Sequence, residues 1–573
     1  MDQSLRTAFL NGYERMAAWS NLLDEINLYP VADADTGRNL RISLAPLKSI
    51  QPKDITKNLL MSATGNSGNI AGAFFSKFVQ VRTSDDITDA ADAGQKAAWR
   101  ALHDPKPGTM LAAFDALVEA LHAHSSKADR LLPGPLLSRI KNSVLSTSEQ
   151  LDELRCADVV DSGALGMFLF FEGFFKHLAN QSDSLSNPYD LFGAKLKMAN
   201  TARPSGDRGY CIDTMIIPSA SMEETLDRVS AMGEHVVALS DGTHLKVHLH
   251  AADATVAQNS LLQVGDMLHW QSQIIDESRP AAWLRAADHD RMVHIATDAA
   301  GSLTHDEARK LGITLLDSYI TMDGRHLPET LISPDDLYAA MSRGTKVTTA
   351  QASIFERHQH YEYLVRRYSN LVYLCVGSAY TGNFDIASRW ANQNGHTERM
   401  AVLDTGAASG RLGLISRRVA AYATSGRALQ EVARFAQAEA RNCDELIFLE
   451  QLKYLASGGR ISKTNGFLGD LLRIKPVIRP GARGAEKIGV VKSQNAQLEL
   501  LLDRLRSRLD SGLPADILLQ YTDNQDRVVS QIQPRIQSLL PLSRISVAPM
   551  SLTAGVHMGP GTWAVAFCPA NSD

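Results

Sequence analysis

The sequence predicts a multidomain chain: an all-α region, a small α/β unit, and a larger α/β region built on a mainly parallel sheet. Three observations predict it. At 573 residues the chain is longer than one hydrophobic core usually organises. In the first third, apolar residues recur at helical spacing, most clearly over residues 110–121. From Met292 onward, short apolar runs ending in small polar residues (293–298, 371–378 and 400–405) alternate with helical stretches, the pattern of strands joined by crossover helices. The expected domains are residues 1–180, 205–285 and 291–570.

Composition narrows the function. With 44% apolar and 21% charged residues the chain has the make-up of a folded globular protein. A net charge of −5 and the lack of a long basic run argue against general nucleic-acid binding. The first residues, Met1 to Arg6, lack a basic segment followed by an apolar core, so no signal peptide is expected. No uninterrupted apolar window approaches the length of about 18 residues that a membrane span needs, so at most transient membrane contact is expected. Cys156, Cys211, Cys375, Cys443 and Cys568 are scattered and odd in number, which suits free thiols in a reducing cytoplasm.

The all-α region is organised around Asn27-Leu28-Tyr29-Pro30-Val31-Ala32-Asp33-Ala34-Asp35-Thr36-Gly37-Arg38-Asn39. Asp33 and Asp35 lie two apart in a stretch bracketed by Pro30 and Gly37, so a shaped loop can aim both carboxylates at one point. Hard oxygen donors grouped in this way suit Mg²⁺, which leaves its other positions to water and phosphate. Read alone, the pair is equally a solvated turn. Thr36 and Asn39 add a hydroxyl and an amide, and the run from Leu40 is suited to open a helix whose N-terminus favours phosphate. A second loop, Ser62-Ala63-Thr64-Gly65-Asn66-Ser67-Gly68-Asn69, runs into an apolar segment; its glycines permit close backbone approach, and its N–H groups can form an anion cradle. The very apolar run 167–175 reads as a buried packing helix.

Together these loops resemble the DhaL-type kinase domain of dihydroxyacetone kinases and, more closely, of bacterial fatty acid kinases. Gly108-Thr109-Met110-Leu111 and Val159-Val160-Asp161-Ser162-Gly163-Ala164-Leu165-Gly166 extend the match in the same order. The resemblance implies a closed helical bundle, or barrel, with ATP and Mg²⁺ at one open end. Asp33 and Asp35, with Asn27 as a third ligand, would hold a pair of Mg²⁺ ions against the triphosphate. Thr36, Gly37, Arg38 and Asn39 would lie against phosphate or metal. Gly65, Asn66, Ser67 and Gly68 would contact phosphate, and Thr109, Met110, Asp161, Ser162 and Gly163 would contact the nucleotide.

Breaker clusters at 180–188 and 201–207 frame a linker into the small α/β unit. Strands are expected at 209–217, 235–239 and 244–250, with a helix at 222–232. His248 and His250 fall on one face of their strand, because strand side chains alternate. With Cys211 on the first strand they make either a zinc site lacking a fourth ligand or simply a half-exposed strand face. The unit resembles the middle domain of fatty acid kinases, which implies zinc bound by Cys211, His248 and His250 in a structural or oligomer-supporting role, and a homodimer.

The third region resembles the DegV family of fatty-acid-binding proteins along nearly its whole length. The matching segments are Thr297-Asp298-Ala299-Ala300, Thr348-Thr349-Ala350-Gln351-Ala352-Ser353, Gly377-Ser378-Ala379-Tyr380-Thr381-Gly382-Asn383, Leu403-Asp404-Thr405-Gly406, Tyr454-Leu455-Ala456-Ser457-Gly458-Gly459-Arg460-Ile461, Lys475-Pro476-Val477-Ile478 and His557-Met558-Gly559-Pro560-Gly561. The resemblance implies that Thr349 and Ser378 donate hydrogen bonds to a fatty acid carboxylate, that His557 contacts it, and that Thr297 and Lys492 stand near the ligand. Joined on one chain, the two halves imply phosphorylation of a bound fatty acid by ATP to give an acyl phosphate for lipid synthesis.

The sequence also departs from these families. Ala34 replaces a family glycine, Arg38 a small residue, Thr64 a frequent arginine, Lys492 an arginine at the pocket mouth and Tyr380 a leucine. Two other functions stay open: a kinase for dihydroxyacetone or another small molecule, and a lipid carrier or sensor whose kinase half is degenerate.

Overall fold

The computed structural model describes residues 1–50, 54–123, 132–197, 209–275, 292–457, 474–481 and 483–570. The breaker cluster 201–207 and the segment Gly458-Gly459-Arg460-Ile461 lie outside the described residues. The chain divides into two compact units, Met1–Leu284 and Arg285–Asp573. The expected middle domain is therefore part of the first unit.

In the first unit, the helix Ser162–Leu178 is the core element: every residue from Ser162 to Phe175 is buried. Its aromatic run explains this. Phe170, Phe171 and Phe174 meet Phe9 of the helix Gln3–Ala18 and Phe74 and Phe78 of the helix Gly65–Phe78 in a chain of edge-on and tilted ring pairs. Each such pair adds about 0.5–1.5 kcal/mol beyond the area it buries. The run thus reads as packing, as its sequence suggests, and no helix among the described residues is long and apolar enough to cross a membrane.

A four-stranded antiparallel sheet completes this unit, in the order β2-β3-β1-β4. Its strands are β1 (Tyr210–Pro218), β2 (Glu234–Ser240), β3 (Leu245–Ala251) and β4 (Gly265–Ile274). The sequence reading has the first three and misses β4, whose polar, largely exposed residues lack strand alternation. Ile212, Ile216, Val247 and Leu249 bury one face of the sheet together with Val229 and Leu261 of its two helices. The edge strand β2 docks on the helical bundle: Leu102 bridges to Val237, and the His103 N–H donates to the Val236 carbonyl at 3.2 Å.

Among the described residues the second unit holds three sheets. β5 (His294–Asp298), β6 (Ile313–Leu316), β10 (Leu371–Cys375) and β11 (Met400–Asp404) form a parallel sheet in the order β11-β10-β5-β6; the apolar runs predict β5, β10 and β11 and miss β6. A small antiparallel sheet is made of β7 (Ser318–Met322), β8 (Arg325–Pro328) and β9 (Thr348–Gln351). The largest sheet has the order β14-β13-β12-β17-β15-β16 and comprises β12 (Asp444–Phe448), β13 (Lys475–Gly481), β14 (Gly484–Val491), β15 (Ala515–Tyr521), β16 (Arg544–Pro549) and β17 (Trp563–Pro569). Apart from the parallel pair β15–β16 it is antiparallel. The parallel arrangement is thus confined to about half of this unit. The reason is local: the link from Gly481 to Gly484 is far too short for a crossover, so β13 and β14 must be antiparallel neighbours.

Candidate functional site

In the first unit, three segments distant in sequence converge at one end of the helical bundle. Thr36 opens the helix Thr36–Leu44, Ser67 lies in the first turn of Gly65–Phe78, and Ser162 opens Ser162–Leu178. The Thr36 hydroxyl donates to Asn27 Oδ1 at 2.8 Å and lies 3.2 Å from Ser67 Oγ. Ser162 Oγ is 3.1 Å from Thr36 Oγ1 and 3.3 Å from Asn27 Oδ1. Asn27 turns its amide NH₂ to Asp33 Oδ1 at 2.8 Å. Its carbonyl oxygen, expected as a metal ligand, is therefore already engaged by two hydroxyls, and Asn27 stands as the residue that orients Asp33.

Burial and the neighbouring charge of Asp35 push the Asp33 carboxyl well above its ordinary value. Two carboxylates held this close repel each other unless a cation or a proton joins them. The donor set thus fits a hard divalent cation such as Mg²⁺. Between the carboxylates, Ala34 sits at φ 55°, the left-handed conformation its family glycine would take freely. Ala34 holds this conformation at a backbone cost of about 1–2 kcal/mol.

Beside this cluster lies a cleft of about 290 Å³. Asn66, Ser67, Thr109, Met110, Asp161, Ser162 and Gly163, all expected nucleotide contacts, line it, with Gly233–Val236 of the sheet forming another wall. Asp161 caps its helix by accepting from the Ala164 N–H at 2.7 Å, and burial pushes its carboxyl up to about 7. His103, Glu234 and the ion pair of Lys106 with Asp104 at 2.6 Å also line the cleft.

The glycine loop departs from expectation. Gly65 begins a helix, and its N–H donates not outward but to Asp213 Oδ2 of β1 at 2.9 Å. The same carboxylate accepts from Thr64 Oγ1 and Asn69 Nδ2. Asp24 likewise takes the N–H groups of Gly37 and Arg38, at 2.7 and 3.1 Å. Two helix N-termini read as phosphate cradles are thus capped by protein carboxylates, which the positive end of a helix favours. The glycines also serve packing: a Cβ on Gly37 would fall 2.0 Å from the Ser20 carbonyl oxygen, one on Gly65 2.0 Å from Asn39 Nδ2, and one on Gly68 2.1 Å from Ser43 Oγ. Asn39 is buried there, and the Arg38 side chain is half-buried.

The Cys211, His248 and His250 donor atoms lie within 4.8 Å of one another. Cys211 Sγ is 4.0 Å from His248 Nδ1, and the buried His248 Nε2 has no hydrogen-bond partner among the described residues. Burial, with His248 and His235 beside it, pushes His250 down to about 3, so its imidazole is neutral and able to ligate. This soft and borderline donor set, at this spacing, fits zinc.

In the second unit, His557 Nε2 and Thr349 Oγ1 are 3.1 Å apart. His557 lines an apolar cavity of about 80 Å³ with Val376, Tyr380, Ile447, Ile478 and Met558. The Tyr380 hydroxyl both donates to the Gly481 carbonyl and accepts from its N–H, at 3.0 Å each. The structure does not bring every expected residue to this cavity. Ser378 is on an exposed loop, where its N–H donates to Asp404. Thr297 is buried in the parallel sheet, donating to the Leu374 carbonyl and accepting from Ser416. Lys492 is exposed, just past β14. The sequence reading missed Glu445, whose buried carboxyl accepts from the Gly410 and Arg411 N–H groups next to the cavity residue Ser409. It also missed Glu329, which accepts from the N–H of the cavity residue Thr553. Burial pushes both carboxyls up to about 7.

A model of the DAK2 domain matches residues 30–176, and one of the DegV family of uncharacterised proteins matches residues 292–570. The chain joins a DAK2 domain to a DegV-family domain. The Asp33–Asp35 loop, the Gly65 helix and the Asp161 cap all lie in the DAK2 domain; Thr349 and His557 lie in the DegV domain. An uncharacterized protein of Staphylococcus saprophyticus is 24% identical over 355 residues, 56% of this chain and 63% of its own length. One from Staphylococcus aureus is 25% identical over 294 residues, 45% of this chain and 53% of its own. The chain therefore spans less than two-thirds of the curated relatives it matches. Among solved structures, a DegV family protein from Thermus thermophilus, described with fatty acid binding, has 24% identity and a TM-score of 0.45, covering 48% of this chain and 99% of its own. DegV of Bacillus subtilis, described as a fatty acid binding protein, has 16% identity and the same TM-score of 0.45, covering 48% and 99%.

Proposed function

We propose that this chain is a cytoplasmic, ATP- and Mg²⁺-dependent kinase that phosphorylates the carboxylate of a fatty acid held in its DegV domain. The observation that supports this most directly is the convergence of Asn27, Thr36, Ser67 and Ser162 beside the Asp33–Asp35 pair, on the rim of a cleft with the dimensions of a small-molecule site. Asp33 and Asp35 would hold Mg²⁺; Asn66, Ser67, Thr109 and Ser162 would wall the nucleotide. Thr349 and His557 would hold the acyl carboxylate, with the tail among Ile447, Ile478 and Met558.

The chemistry needs little from the protein beyond placement and charge neutralisation. A carboxylate oxygen bonds to the γ-phosphorus as the bond from that phosphorus to the β–γ bridging oxygen breaks. The products are a mixed acyl–phosphoric anhydride and ADP. The acceptor is already ionised at neutral pH, so no general base is required. Carrying both domains on one chain keeps donor and acceptor at a high effective concentration. Zinc at Cys211, His248 and His250 would brace the sheet beside the cleft.

The test is native mass spectrometry of the purified protein, followed by ATP, Mg²⁺ and hydroxylamine to trap acyl phosphate. The expected result is a co-purified fatty acid converted to its hydroxamate, and loss of that product in Asp35→Ala. A bound fatty acid that ATP leaves unchanged would instead support a carrier or sensor. One observation favours that second reading: Asp24 and Asp213 occupy N–H groups expected to face phosphate. Turnover of dihydroxyacetone with no lipid bound would support a small-molecule kinase.

A further inference from the structure

Asp213 lies between two sites that the sequence treats as separate. In the β1–β3 register, Cys211 stands opposite His250 and Asp213 opposite His248. Residues two apart on a strand share a face, so these four side chains form one patch. Within it, Asp213 Oδ2 is 3.4 Å from His248 Nδ1. The same Nδ1 is 4.0 Å from Cys211 Sγ, while the buried Nε2 has no partner among the described residues, so a cation held by this ring through Nε2 would leave Nδ1 to the carboxylate. The same carboxylate also reaches out of the sheet to Gly65 N, Thr64 Oγ1 and Asn69 Nδ2, at 2.9, 3.2 and 3.1 Å. Gly65 is immediately followed by Asn66 and Ser67, which wall the nucleotide cleft.

We propose that Asp213 is a positioning residue that couples occupancy of the Cys211–His248–His250 centre by a thiophilic divalent cation to nucleotide binding in the cleft. The proposal rests on the nucleotide-binding reading above. An imidazole that ligates a cation through one nitrogen becomes a stronger hydrogen-bond donor through the other, and a carboxylate receiving that bond is fixed in place. Here the fixed carboxylate caps the first turn of the helix Gly65–Phe78, so cation binding orders the cleft wall. Coupling of this kind is reciprocal: nucleotide tightens the cation by the same factor by which the cation tightens nucleotide.

The experiment uses the full chain, stripped with a chelator or reloaded with Zn²⁺. Its readouts are zinc stoichiometry by elemental mass spectrometry and affinity for the Mg²⁺ complex of a non-hydrolysable ATP analogue by calorimetry. Stripping is expected to weaken nucleotide binding about five-fold or more, within the usual range of such couplings. Zinc affinity, measured by competition with a chromophoric chelator, is expected to change by the same factor when the analogue is added. Asp213→Asn should still bind zinc through the other three residues but lose most of the coupling, to below about two-fold. If that variant does not fold, Thr64→Val removes one of the linking hydrogen bonds and should give an intermediate factor. Equal nucleotide affinity in loaded and stripped protein overturns the inference, as does undiminished coupling in either variant. Nucleotide binding without zinc uptake overturns it too, and leaves the kinase reading standing. Failure to bind the analogue in both states overturns the inference and the kinase reading together.

Discussion

Thr349 Oγ1 and His557 Nε2 lie 3.1 Å apart although 208 residues separate them. Thr349 comes from β9 and His557 from the helix Leu552–Met558, so the pair exists only when two distant segments are folded together. With no ligand they satisfy each other. With a carboxylate present, both can turn to it, and hydrogen bonds to a charged group contribute roughly 1.5–3 kcal/mol each. His557→Ala is therefore expected to weaken fatty acid binding about ten- to hundred-fold. Displacement of a fluorescent fatty acid measures this. Unchanged affinity would place the carboxylate elsewhere in the DegV domain.

The glycines of the Gly65–Gly68 turn have a packing explanation that can be separated from a phosphate-binding one. A Cβ on Gly68 would meet Ser43 Oγ at 2.1 Å and the Asn39 carbonyl oxygen at 3.1 Å. Gly68→Ala is expected to cost about 1–3 kcal/mol, the usual result of overpacking. Adding Ser43→Ala removes the nearest obstacle, at the loss of the hydrogen bond Ser43 accepts from Thr64 N, worth about 1 kcal/mol. Thermal denaturation should show partial rescue in the double variant. If stability is recovered but the ATP analogue no longer binds, the glycine also serves the ligand.

Much of this arrangement was legible in the sequence, with a clear limit. Apolar patterning alone marks the first region as helical and locates the helices at 110–121, 167–175 and 222–232, β1 to β3, and three strands of the parallel sheet. The cleft residues were legible as motifs, since Ser67, Thr109 and Asp161 each stand in a distinctive local string, as does Asp33 beside the cleft. What was not legible is pairing between segments. Nothing near Asp24 shows that it caps the helix at Gly37, and Asp213 becomes meaningful only through its register with His248. Ser378, Thr297 and Lys492 show the converse. Motif position assigned them to the pocket, whereas the fold leaves Ser378 and Lys492 exposed and turns Thr297 into the sheet.

Arg15 and Glu172 form a buried ion pair at 2.8 Å between the two helices at the centre of the first unit. Glu172 also accepts from the Ser186 N–H at 2.7 Å, so its carboxylate is well satisfied. Glu172→Ala would leave the guanidinium buried without its main counter-charge, a loss of about 3–5 kcal/mol. Arg15→Met with Glu172→Leu replaces both charges by apolar groups and should cost much less. Chemical denaturation of the two variants tests this, and equal losses would mean that shape, not charge, dominates at the site.

Asp161 gives the first unit a predictable pH dependence. Burial raises its folded carboxyl to about 7, against an ordinary carboxylate value of about 4 when unfolded. Between those values the folded state holds a proton that the unfolded state has released. Its contribution to stability is thus fully present below about pH 4 and is lost as the pH rises through 7. Asn is as good an N-cap as Asp and carries no charge to desolvate. Asp161→Asn should therefore match the parent near pH 4 and exceed it above pH 7, by on the order of 2–4 kcal/mol. Glu329 and Glu445 impose the same trend on the other unit, so the informative quantity is the difference between variant and parent across pH. A difference that stays constant from pH 4 to 8 would show that the Asp161 carboxyl keeps its ordinary value in the folded protein, stabilised by the Ala164 N–H more than burial opposes it.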